Sequence, residues 1–514
     1  MSAIRHALPI KRADDFAQWY QAVVSQADMA EESGVRGCMV IKPWGYGIWE
    51  RIQRLMDDRI KAAGVQNCYF PLFIPLSYFA KEAEHVEGFA KEMAVVTHHR
   101  LVAGAEGGLV PDPEAKLEEP LVVRPTSETV IGAAMGRWIQ SWRDLPLLTN
   151  QWANVVRWEM RTRMFLRTSE FLWQEGHTAH ADEADAMTET LRALEMYRTF
   201  AEDVLAMPVI AGEKPENERF PGAVATYSIE AMMQDGKALQ AGTSHYLGTS
   251  FAEAAGIQYQ DREGTQQLCH TTSWGVSTRL IGGVIMTHGD DDGLRVPPAI
   301  APHQIIILPM LREDDSDLPL LAYCEEIRAA LASKVTLGEP IRVLLDKRPG
   351  KAAAKRWDWV RKGAPIILEV GQRDMDGGKV ALLRRDQLWN AQNGKSAFQF
   401  VPRDDFTADA PALLEDIQAL LLTEAKERRD ANIVRDVDSM EKLAGFYADN
   451  AVFPGWVEVQ WSKPTGDALD KVVEQLKALK LTIRNVPMDA EPVSGLCIFT
   501  GEPAVERIYV ARAY

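Results

Sequence analysis

The segment VRWEMRTRMFLRTSEFLWQEGH, residues 156–177, carries the clearest structural pattern in this chain. Aromatic and apolar residues recur toward both of its ends, which predicts one strand over residues 152–158 and a second over residues 167–174. The basic segment between them, with Arg161 and Arg163, predicts a flexible tip. Strands joined by so short a tip pair side by side, so we expect an antiparallel hairpin.

Two helices are predicted before this hairpin. The first covers residues 44–64, where apolar residues recur at helical spacing, and a strand over residues 65–70 follows it. The second begins at Thr126 or Ser127, either of which can cap it. Because these strands and helices do not alternate regularly, they predict an antiparallel sheet flanked by helices, an α+β domain over residues 1–302.

The pattern of the sequence changes after this domain. Apolar runs predict three strands and one helix, in the order strand 304–310, helix 318–333, strand 341–345 and strand 365–370. This alternation predicts an α/β domain over residues 303–405. A charged helix after Pro411 then leads into a small α+β C-terminal domain, residues 406–514.

The composition argues against several classes of protein. A net charge of −16 and a pI of about 5.2 do not suit a protein that coats nucleic acid without specificity. No apolar run approaches the ~20 residues that cross a membrane, and the N-terminal segment lacks the apolar core of a signal peptide. The five cysteines form no CxxC pair, so neither a disulfide framework nor a four-cysteine zinc site is expected. We therefore expect a cytoplasmic protein without a membrane partner.

Three arginines are candidates for binding a triphosphate. The chain has neither a GxxxxGK[ST] loop nor a GxGxxG turn after a strand, so side chains would have to hold ATP. Arginine suits this task because its guanidinium fork pairs bidentately with phosphate. Arg157, Arg167 and Arg279 fall in predicted strands rich in Trp, Gly and Thr. Any one of them alone could instead be a surface or ion-pair residue.

A second group of residues is typical of an amino-acid pocket. Its members fall in three segments, 126–128, 173–177 and 240–245. Their carboxylates, hydroxyls and imidazoles can bind the charged groups of an amino acid, and their aromatic rings can enclose its side chain. Glu128 has a simpler alternative, a carboxylate that stabilises the first turn of a helix. His177 and His180 also have one, a pair of metal ligands, although no third ligand lies nearby in sequence.

Together these segments resemble the prolyl-tRNA synthetases of the archaeal/eukaryotic-like type, within the class II aminoacyl-tRNA synthetases. GCMVIKPWGYGIWE (37–50) through FPLFIP (70–75) resembles motif 1, and VRPTSE (123–128) resembles the TxE element that binds proline. Residues 156–177 resemble motif 2. WGVSTR (274–279) followed by HGDDDGL (288–294) resembles motif 3. The similarity spans almost the whole chain, which makes it far more specific than one short motif.

The resemblance implies ATP-dependent activation of L-proline to prolyl-adenylate and its transfer to the 3′ end of tRNA-Pro, with Mg²⁺ accompanying ATP. It implies catalytic roles for Arg157 and Arg279, and a homodimer built on motif 1. The positions that match proline binding are Thr126, Glu128, Arg157, Phe171, Trp173, Glu175, His177, Phe220 and His245. The positions that match ATP binding are Arg157, Glu159, Arg167, Thr168, Gln240, Thr243, Ser277 and Arg279.

The resemblance also implies three features outside the binding positions. Bacterial-type members carry an editing insertion between motifs 2 and 3, but only residues 178–239 separate His177 from Gln240 here, so no editing domain is expected. The family's C-terminal domain often binds zinc through four cysteines. Only Cys497 remains in this chain, so no zinc is expected. The terminal Ala-Arg-Ala-Tyr514 is similar to the family's Lys-Ala-Tyr, which implies an arm against the active site, with a frayed end as the alternative.

Residues 303–405 resemble the family's anticodon-binding domain. The matching positions are Asp346, 349–350, Trp359, 362–363 and 384–386. Basic residues between Lys347 and Lys362 are a candidate RNA-binding run, or equally a solvated helix face. Val360, Ile367 and Gln372 depart from the family's pattern, so anticodon contacts cannot be carried over to them, and Arg361 is a candidate replacement.

Two alternative functions would use the same residues. One is a paralogue that makes prolyl-adenylate for a non-tRNA acceptor, a carrier protein or a small molecule, which the changed anticodon positions motivate. The other is a non-catalytic protein that senses tRNA on the same fold. The presence of Arg157, Glu128 and Arg279 argues against the second, whereas only the acceptor separates the first from a tRNA ligase.

Overall fold

The computed structural model describes residues 6–79, 93–312, 314–448, 455–489 and 492–514. The first five residues of the N-terminal segment, which bear on the signal-peptide prediction, lie outside these ranges. None of the helices in these ranges is both long enough and apolar enough to cross a membrane.

Most of the first 300 residues surround one sheet, which we call the central sheet; it has eight strands among the described residues. In spatial order they are Val486–Pro487, Val209–Glu213, Ala225–Met232, Ala238–Gly248, His270–Ser277, Glu170–His180, Leu147–Val156 and Gln66–Asn67. Neighbouring strands run antiparallel except for the last pair, which is parallel. The predicted antiparallel sheet is therefore confirmed.

Seven α-helices of the described residues accompany the central sheet in this part of the chain. They are Phe16–Gln26, Pro43–Ala62, Leu76–Phe79, Glu128–Trp138, Glu183–Asp203, Ser250–Ala255 and Arg279–His288. The helix Glu183–Asp203 lies across one face of the sheet, where Tyr197 Oη donates a hydrogen bond to Gln174 Oε1 at 2.6 Å. Because successive strand residues point to opposite faces, Trp173 and Glu175 are directed to the other face.

Several short sheets complete this part of the chain. Their strands are Ala30–Glu32 with Met39–Ile41, Phe73–Pro75 with Lys116–Val123 and Ala94–His98, Leu101–Ala103 with Leu109–Pro111, and Gln258–Gln260 with Gln266–Leu268. The strand predicted over 65–70 is shorter, Gln66–Asn67. Its ladder stops early because the Phe70 N–H bonds to the side chain of Gln151 at 3.1 Å rather than to a neighbouring strand.

The prediction that the three arginines lie on strands is wrong. The hairpin strands end at Val156 and resume at Glu170, so Arg157 and Arg167 fall in the connection between them. Arg279 is the first residue of the helix Arg279–His288. All three therefore lie beyond strand ends, where a side chain can turn over the edge of the sheet instead of packing on its face.

The second part of the chain contains a five-stranded mixed sheet among the described residues. Its order is Val343–Leu345, Ile305–Pro309, Ile366–Val370, Lys379–Arg384 and Gln399–Pro402, and its helices include Leu318–Ala332, Ala352–Lys362 and Gln372–Asp376. The first three strands are parallel and the last two antiparallel. This arrangement confirms the predicted α/β architecture.

One ion pair and one hydrogen bond join this mixed sheet region to the end of motif 3. The buried Arg385 donates from Nη1 and Nη2 to the two carboxylate oxygens of Asp290, at 2.7 and 2.5 Å. Trp389 Nε1 donates to Asp292 Oδ2 at 2.7 Å. Arg385, one of the positions that match the anticodon-binding domain, is thus used for contact within the protein.

The charged helix predicted after Pro411 begins earlier, at Arg403, and continues to Ala431. Asp404 and Asp405 in its first turn favour a helix N-terminus, and Phe406 packs in the core. These gains outweigh the helix bond that Pro411 cannot donate. The domain boundary predicted between residues 405 and 406 falls inside this helix, and the division into domains stays a prediction.

The last part of the chain has a four-stranded sheet within the described ranges. Its strands are Ile433–Val434, Trp456–Trp461, Glu506–Ala511 and Thr482–Ile483, and its helices are Met440–Phe446 and Gly466–Ala478. Leu443, Val459 and Leu476 belong to its apolar core, where Cys497 is buried. In the described part of the chain, no three or more His, Cys, Asp or Glu side chains gather as metal ligands.

We expect chelation to leave the melting temperature of the protein unchanged, because an apolar core and not a metal would hold this last sheet. The measurement is a thermal unfolding curve with and without a strong zinc chelator, with metal content determined on the same sample. A structural zinc site contributes folding energy outright, so a large chelator-induced drop in melting temperature would contradict the prediction.

Candidate active site

A cavity of about 260 Å³ opens on the face of the central sheet opposite the helix Glu183–Asp203. Its walls include alternate residues of three neighbouring strands: Phe171, Trp173, Glu175 and His177; Thr243 and His245; Ser273, Gly275 and Ser277. Strand alternation explains why the polar and aromatic residues of the WQEGH sequence meet in one place.

Gly176, on the strand Glu170–His180, allows close packing on the face of the sheet away from the cavity. Gly176 lies directly across the ladder from Trp274, and a Cβ at this position would overlap the indole ring. That ring packs 6.1 Å from the ring of Tyr197 on the covering helix. The cavity therefore opens on only one side of the strand.

One end of the cavity is acidic. Glu128 is buried and accepts a hydrogen bond from Thr126 Oγ1. Glu175 is also buried, and it accepts hydrogen bonds from Ser127 Oγ and, at 2.6 Å, from Gln151 Nε2. The Ser127 hydroxyl therefore bonds to Glu175 and does not cap the helix that follows it. Two neighbouring buried carboxylates favour a cationic ligand, because a buried charge is costly unless it is paired.

Two histidines beside these carboxylates have pKa values shifted in opposite directions. Burial lowers the pKa of His177, but the Glu175 carboxylate, 2.8 Å from its Nε2, and the charge of Glu128 outweigh this and leave the pKa raised. His245 lies 3.0 Å from Thr226 Oγ1, and burial lowers the pKa of His245 to about 4. His245 is therefore neutral at neutral pH and acts in the wall as an uncharged ring.

An aromatic wall leads from the acidic end toward an arginine. The rings of Phe171 and Trp173 are perpendicular, with centroids 6.0 Å apart. The guanidinium carbon of Arg157 lies 5.6 Å from the first centroid and 5.7 Å from the second. Arg157 Nε donates to the backbone oxygen of Pro125 at 2.9 Å. Together these contacts fix the direction of the guanidinium group.

Arg279 closes the other end of the cavity. Its Nε donates to the Leu166 carbonyl at 3.3 Å, and its Nη1 to the Gln240 carbonyl at 3.4 Å. Burial, together with the charges of Arg157 and Arg167, lowers the pKa of Arg279 to about 10. The group stays charged at neutral pH, and an anion bound here would relieve the repulsion among these cations.

Most of the predicted site residues meet in this cavity. All nine positions that match proline binding line it. Of those that match ATP binding, Arg157, Gln240, Thr243, Ser277 and Arg279 line it. Glu159 instead accepts the Arg161 N–H at 2.6 Å, and Arg167 closes a turn with Arg163 through backbone hydrogen bonds. Thr168 lines a neighbouring cavity. The structure thus brings most of the predicted residues together, and ligand binding stays a prediction for all of them.

The two histidines singled out as a metal pair do not share a site. His177 faces the cavity, whereas His180 lies an odd number of residues further along the same strand and so points to the other face. There its Nδ1 is 2.6 Å from Asp185 Oδ2. Each ring is thus paired with its own carboxylate.

Sequence reasoning missed four side chains that line the cavity: Glu218, Arg219, Thr226 and Ser273. Glu218 and Arg219 lie at a short 3-10 turn, Glu216–Glu218. A turn of this length has no hydrophobic periodicity from which it could be predicted. Ser273 could have been found, because it alternates with Gly275 and Ser277, and the latter was already matched to motif 3.

The C-terminal arm is docked beside this site. The Tyr514 N–H donates to the Ala238 carbonyl at 3.0 Å, and Tyr514 Oη donates to Asp235 Oδ2 at 2.6 Å. Lys237 Nζ lies 4.8 Å from the centre of its ring. The arm therefore binds the start of the strand that carries Gln240, and the frayed-end alternative is wrong.

Comparison with known families agrees with this geometry. Residues 112–288 match the tRNA synthetase class II core domain (G, H, P, S and T), and residues 304–397 match the anticodon binding domain. The antiparallel sheet and the matched core domain together define a class II aminoacyl-tRNA synthetase.

Similar proteins narrow this class. The chain is 77% identical to the proline–tRNA ligase of Novosphingobium aromaticivorans over 100% of this chain and 99% of that one. It is 72% identical to the one of Erythrobacter litoralis, with both chains covered fully. A crystal structure of prolyl-tRNA synthetase from Cryptosporidium parvum complexed with L-proline and AMP superposes with a TM-score of 0.86 at 34% identity, over 99% and 97% of the two chains. This chain belongs to the proline–tRNA ligase family.

Proposed function

We propose that the cavity described above activates L-proline with ATP and then transfers it to tRNA-Pro. As a member of its family, the chain is an enzyme, a ligase that joins proline to tRNA. One observation carries the assignment of this reaction to the cavity: two buried carboxylates, Glu128 and Glu175, line it together with two arginines, Arg157 and Arg279, and with aromatic rings.

The acidic end is suited to the amine of proline. Thr126 and Glu128 would bind the secondary ammonium group, while Glu175 is already paired with His177. Trp173, Phe220 and His245 would enclose the pyrrolidine ring, and a neutral His245 adds no charge to this apolar slot. The proline carboxylate would then point toward Arg157.

Activation requires little covalent work from the protein. A carboxylate oxygen of proline attacks the α-phosphorus of ATP, the bond from that phosphorus to the bridging oxygen breaks, and pyrophosphate leaves. Arg157 would span the carboxylate and the α-phosphate, and Arg279 would hold the outgoing phosphates. Positioning and cationic stabilisation of the transition state supply the rate.

Transfer would use the same cavity. A hydroxyl of the tRNA 3′ end attacks the carbonyl carbon of prolyl-adenylate, and AMP leaves as the bond between that carbon and the phosphate oxygen breaks. ATP would enter as its Mg²⁺ complex, since Mg²⁺ binds mainly to phosphate oxygens with a few protein oxygens. Glu218, Gln240 and Thr243 offer such oxygens in the cavity wall.

Selection of proline over alanine is the harder part of this task. A missing methylene changes binding by only ~1–3 kcal/mol, so the slot rejects branched side chains better than it rejects alanine. Residues 178–239, where other family members carry an editing insertion, form one long helix and strands of the central sheet. Misacylated tRNA would therefore be cleared outside this interval.

The changed anticodon positions, Val360, Ile367 and Gln372, do not favour a non-tRNA acceptor. Val360 and Ile367 are buried in the main apolar cluster, so they pack inside the protein and would not contact an anticodon. Gln372 is exposed and bonds to Asp376 at 2.8 Å. Arg361, the candidate replacement, is paired with Asp358. We therefore keep tRNA as the acceptor.

The basic run in this region is largely neutralised by the protein itself. Arg348 pairs with Asp346, Arg356 with Glu369 and Lys362 with Asp28. Lys355 is buried and donates to a backbone carbonyl. Binding of tRNA is therefore expected to use other surfaces of residues 304–397 as well.

We further propose a homodimer in the cytoplasm. The end of motif 1 exposes three large apolar side chains, Tyr69, Phe73 and Leu76. Clustered apolar exposure of this kind marks a protein interface, and a second copy of this chain is its expected occupant. Light scattering should then give twice the chain mass of 57.4 kDa.

The decisive assay is proline-dependent ATP–pyrophosphate exchange followed by charging of a purified tRNA pool with labelled proline. We expect exchange with proline and charging of tRNA-Pro. Exchange without charging would contradict the acceptor and support the alternative of a non-tRNA acceptor. The lack of exchange with any amino acid would contradict the assignment of the cavity.

Deletion of Tyr514 is expected to lower the exchange rate by about tenfold, because a docked terminus holds the strand that carries Gln240. The measurement is the initial exchange rate at saturating proline and ATP, with Tyr514→Phe as the matched variant. The phenylalanine variant keeps the ring and the backbone and loses only the hydrogen bond to Asp235. An unchanged rate in the deletion would mean that the arm has no part in the site.

A further inference from the structure

Three charged side chains lie buried together behind the ATP end of the cavity. Glu230 is fully buried; its Oε1 is 2.7 Å from Lys214 Nζ, and its Oε2 is 2.8 Å from Arg484 Nη2. Arg484 also donates from Nε to the same carboxylate at 3.2 Å and from Nη1 to Thr482 at 2.7 Å. Lys214 and Glu230 belong to the central sheet region, whereas Arg484 comes from the last part of the chain.

This cluster is linked to Arg279, the arginine proposed to bind phosphate, through the neighbouring strand Ala238–Gly248. Glu230 lies directly across the ladder from Gln240, and an irregularity in the pairing leaves Ala241 as an extra residue there. Gln240 lines the cavity, and its carbonyl accepts the hydrogen bond from Arg279 Nη1. Such bulges re-aim neighbouring groups next to active sites.

The chain holds Arg484 at this place through backbone pairing. The strand Val486–Pro487 pairs with Gly212 and Glu213 and so becomes the edge strand of the central sheet. Asn485 Nδ2 donates to the Ile210 carbonyl at 3.0 Å. The last part of the chain is therefore built into the catalytic sheet, and its arginine has a fixed position relative to Glu230.

The charges around Arg279 connect this cluster to ATP binding. Arg279 has Arg157, Arg167 and Arg484 as cationic neighbours, and Glu230 is the carboxylate whose charge acts on it in the opposite sense. A buried carboxylate left short of partners would attract Arg279 and compete with phosphate for it. Arg484 and Lys214 satisfy both oxygens of Glu230 and so leave the Arg279 guanidinium group to the ligand.

We propose that Arg484 is a positioning residue for ATP: by holding the Glu230 carboxylate, it keeps Arg279 available for the triphosphate. The inference rests on the proposed function of the cavity. It makes the last part of the chain a component of the nucleotide site through an internal ion cluster, separate from the terminal arm.

The test is the Arg484→Met variant of the full chain, assayed by proline-dependent pyrophosphate exchange. We expect KM for ATP to rise by about tenfold, while KM for proline stays within about twofold, because the Arg484 side chain donates its hydrogen bonds to Glu230 and Thr482 rather than to residues of the amino-acid end. The triple variant K214M/E230Q/R484M removes all three charges and is expected to restore KM for ATP toward the wild-type value.

A matched control separates this effect from a loss of stability. Leu481→Ala truncates a buried apolar side chain close to Arg484 in sequence and changes no charge. We expect it to lower the melting temperature and leave KM for ATP unchanged. An equal rise in KM for ATP in Leu481→Ala, or an unchanged value in Arg484→Met, would overturn the proposal. If the wild type itself gave no exchange, the assignment of the cavity would fail instead.

Discussion

Replacement of Arg157 by alanine is expected to lower the rate of prolyl-adenylate formation by about 10³-fold, with the fold intact. Removal of one preorganised donor from a transition state costs about 10²–10³ in rate, and Arg157 would contact both reacting groups. Its guanidinium group is held by Pro125 and lies against Phe171 and Trp173, so it is oriented before the substrates bind. The measurement is proline-dependent pyrophosphate exchange at saturating substrates.

Two further variants sharpen this experiment. Arg157→Lys keeps the charge and loses the planar fork, so it is expected to recover only a small part of the rate. Arg137→Ala removes an exposed arginine from the helix Glu128–Trp138 and is expected to retain full exchange. Exchange near the wild-type rate in Arg157→Ala would refute the catalytic role.

Replacement of Glu128 by alanine is expected to raise KM for proline by about 10–100-fold, with KM for ATP unchanged. A hydrogen bond to a charged group contributes about 1.5–3 kcal/mol, which corresponds to this range. Glu128 is buried beside Thr126 at the acidic end of the cavity. The measurement is exchange with proline and ATP varied separately.

The control for this variant is a second carboxylate at a helix start. Glu183 is the first residue of the helix Glu183–Asp203 and is exposed, so Glu183→Ala removes the same favourable interaction with a helix N-terminus. We expect it to leave KM for proline unchanged. If both variants raised KM for proline alike, Glu128 would be only a helix-terminal charge.

Much of the site was accessible from local sequence because strand geometry is regular. In the WQEGH segment and the residues before it, side chains of a strand that are two apart share a face. Phe171, Trp173, Glu175 and His177 follow this rule and line one cavity. The resemblance to motif 2 added their roles, which composition and spacing did not supply.

Other parts of the site depended on contacts between distant segments. Glu218 and Arg219 reach the cavity from a loop without periodicity, and Arg157 and Arg279 turn over strand ends that sequence patterns placed too late. The start of the helix Arg403–Ala431 was missed because burial of Phe406 overrides the local signal of Pro411. Local propensity is a weak guide wherever tertiary packing decides.

The amino-acid sequence by itself determined the antiparallel sheet, the family and the residue types of the pocket, because strand periodicity and ordered motifs are local properties of the chain. The tertiary structure alone decided how the pKa of each histidine shifts: burial makes His245 neutral at neutral pH, and Glu175 raises the pKa of His177. It also decided that Arg484 meets Glu230 across 254 positions of sequence. Dielectric surroundings and long-range pairing arise only when separate segments pack together, and no local pattern encodes them.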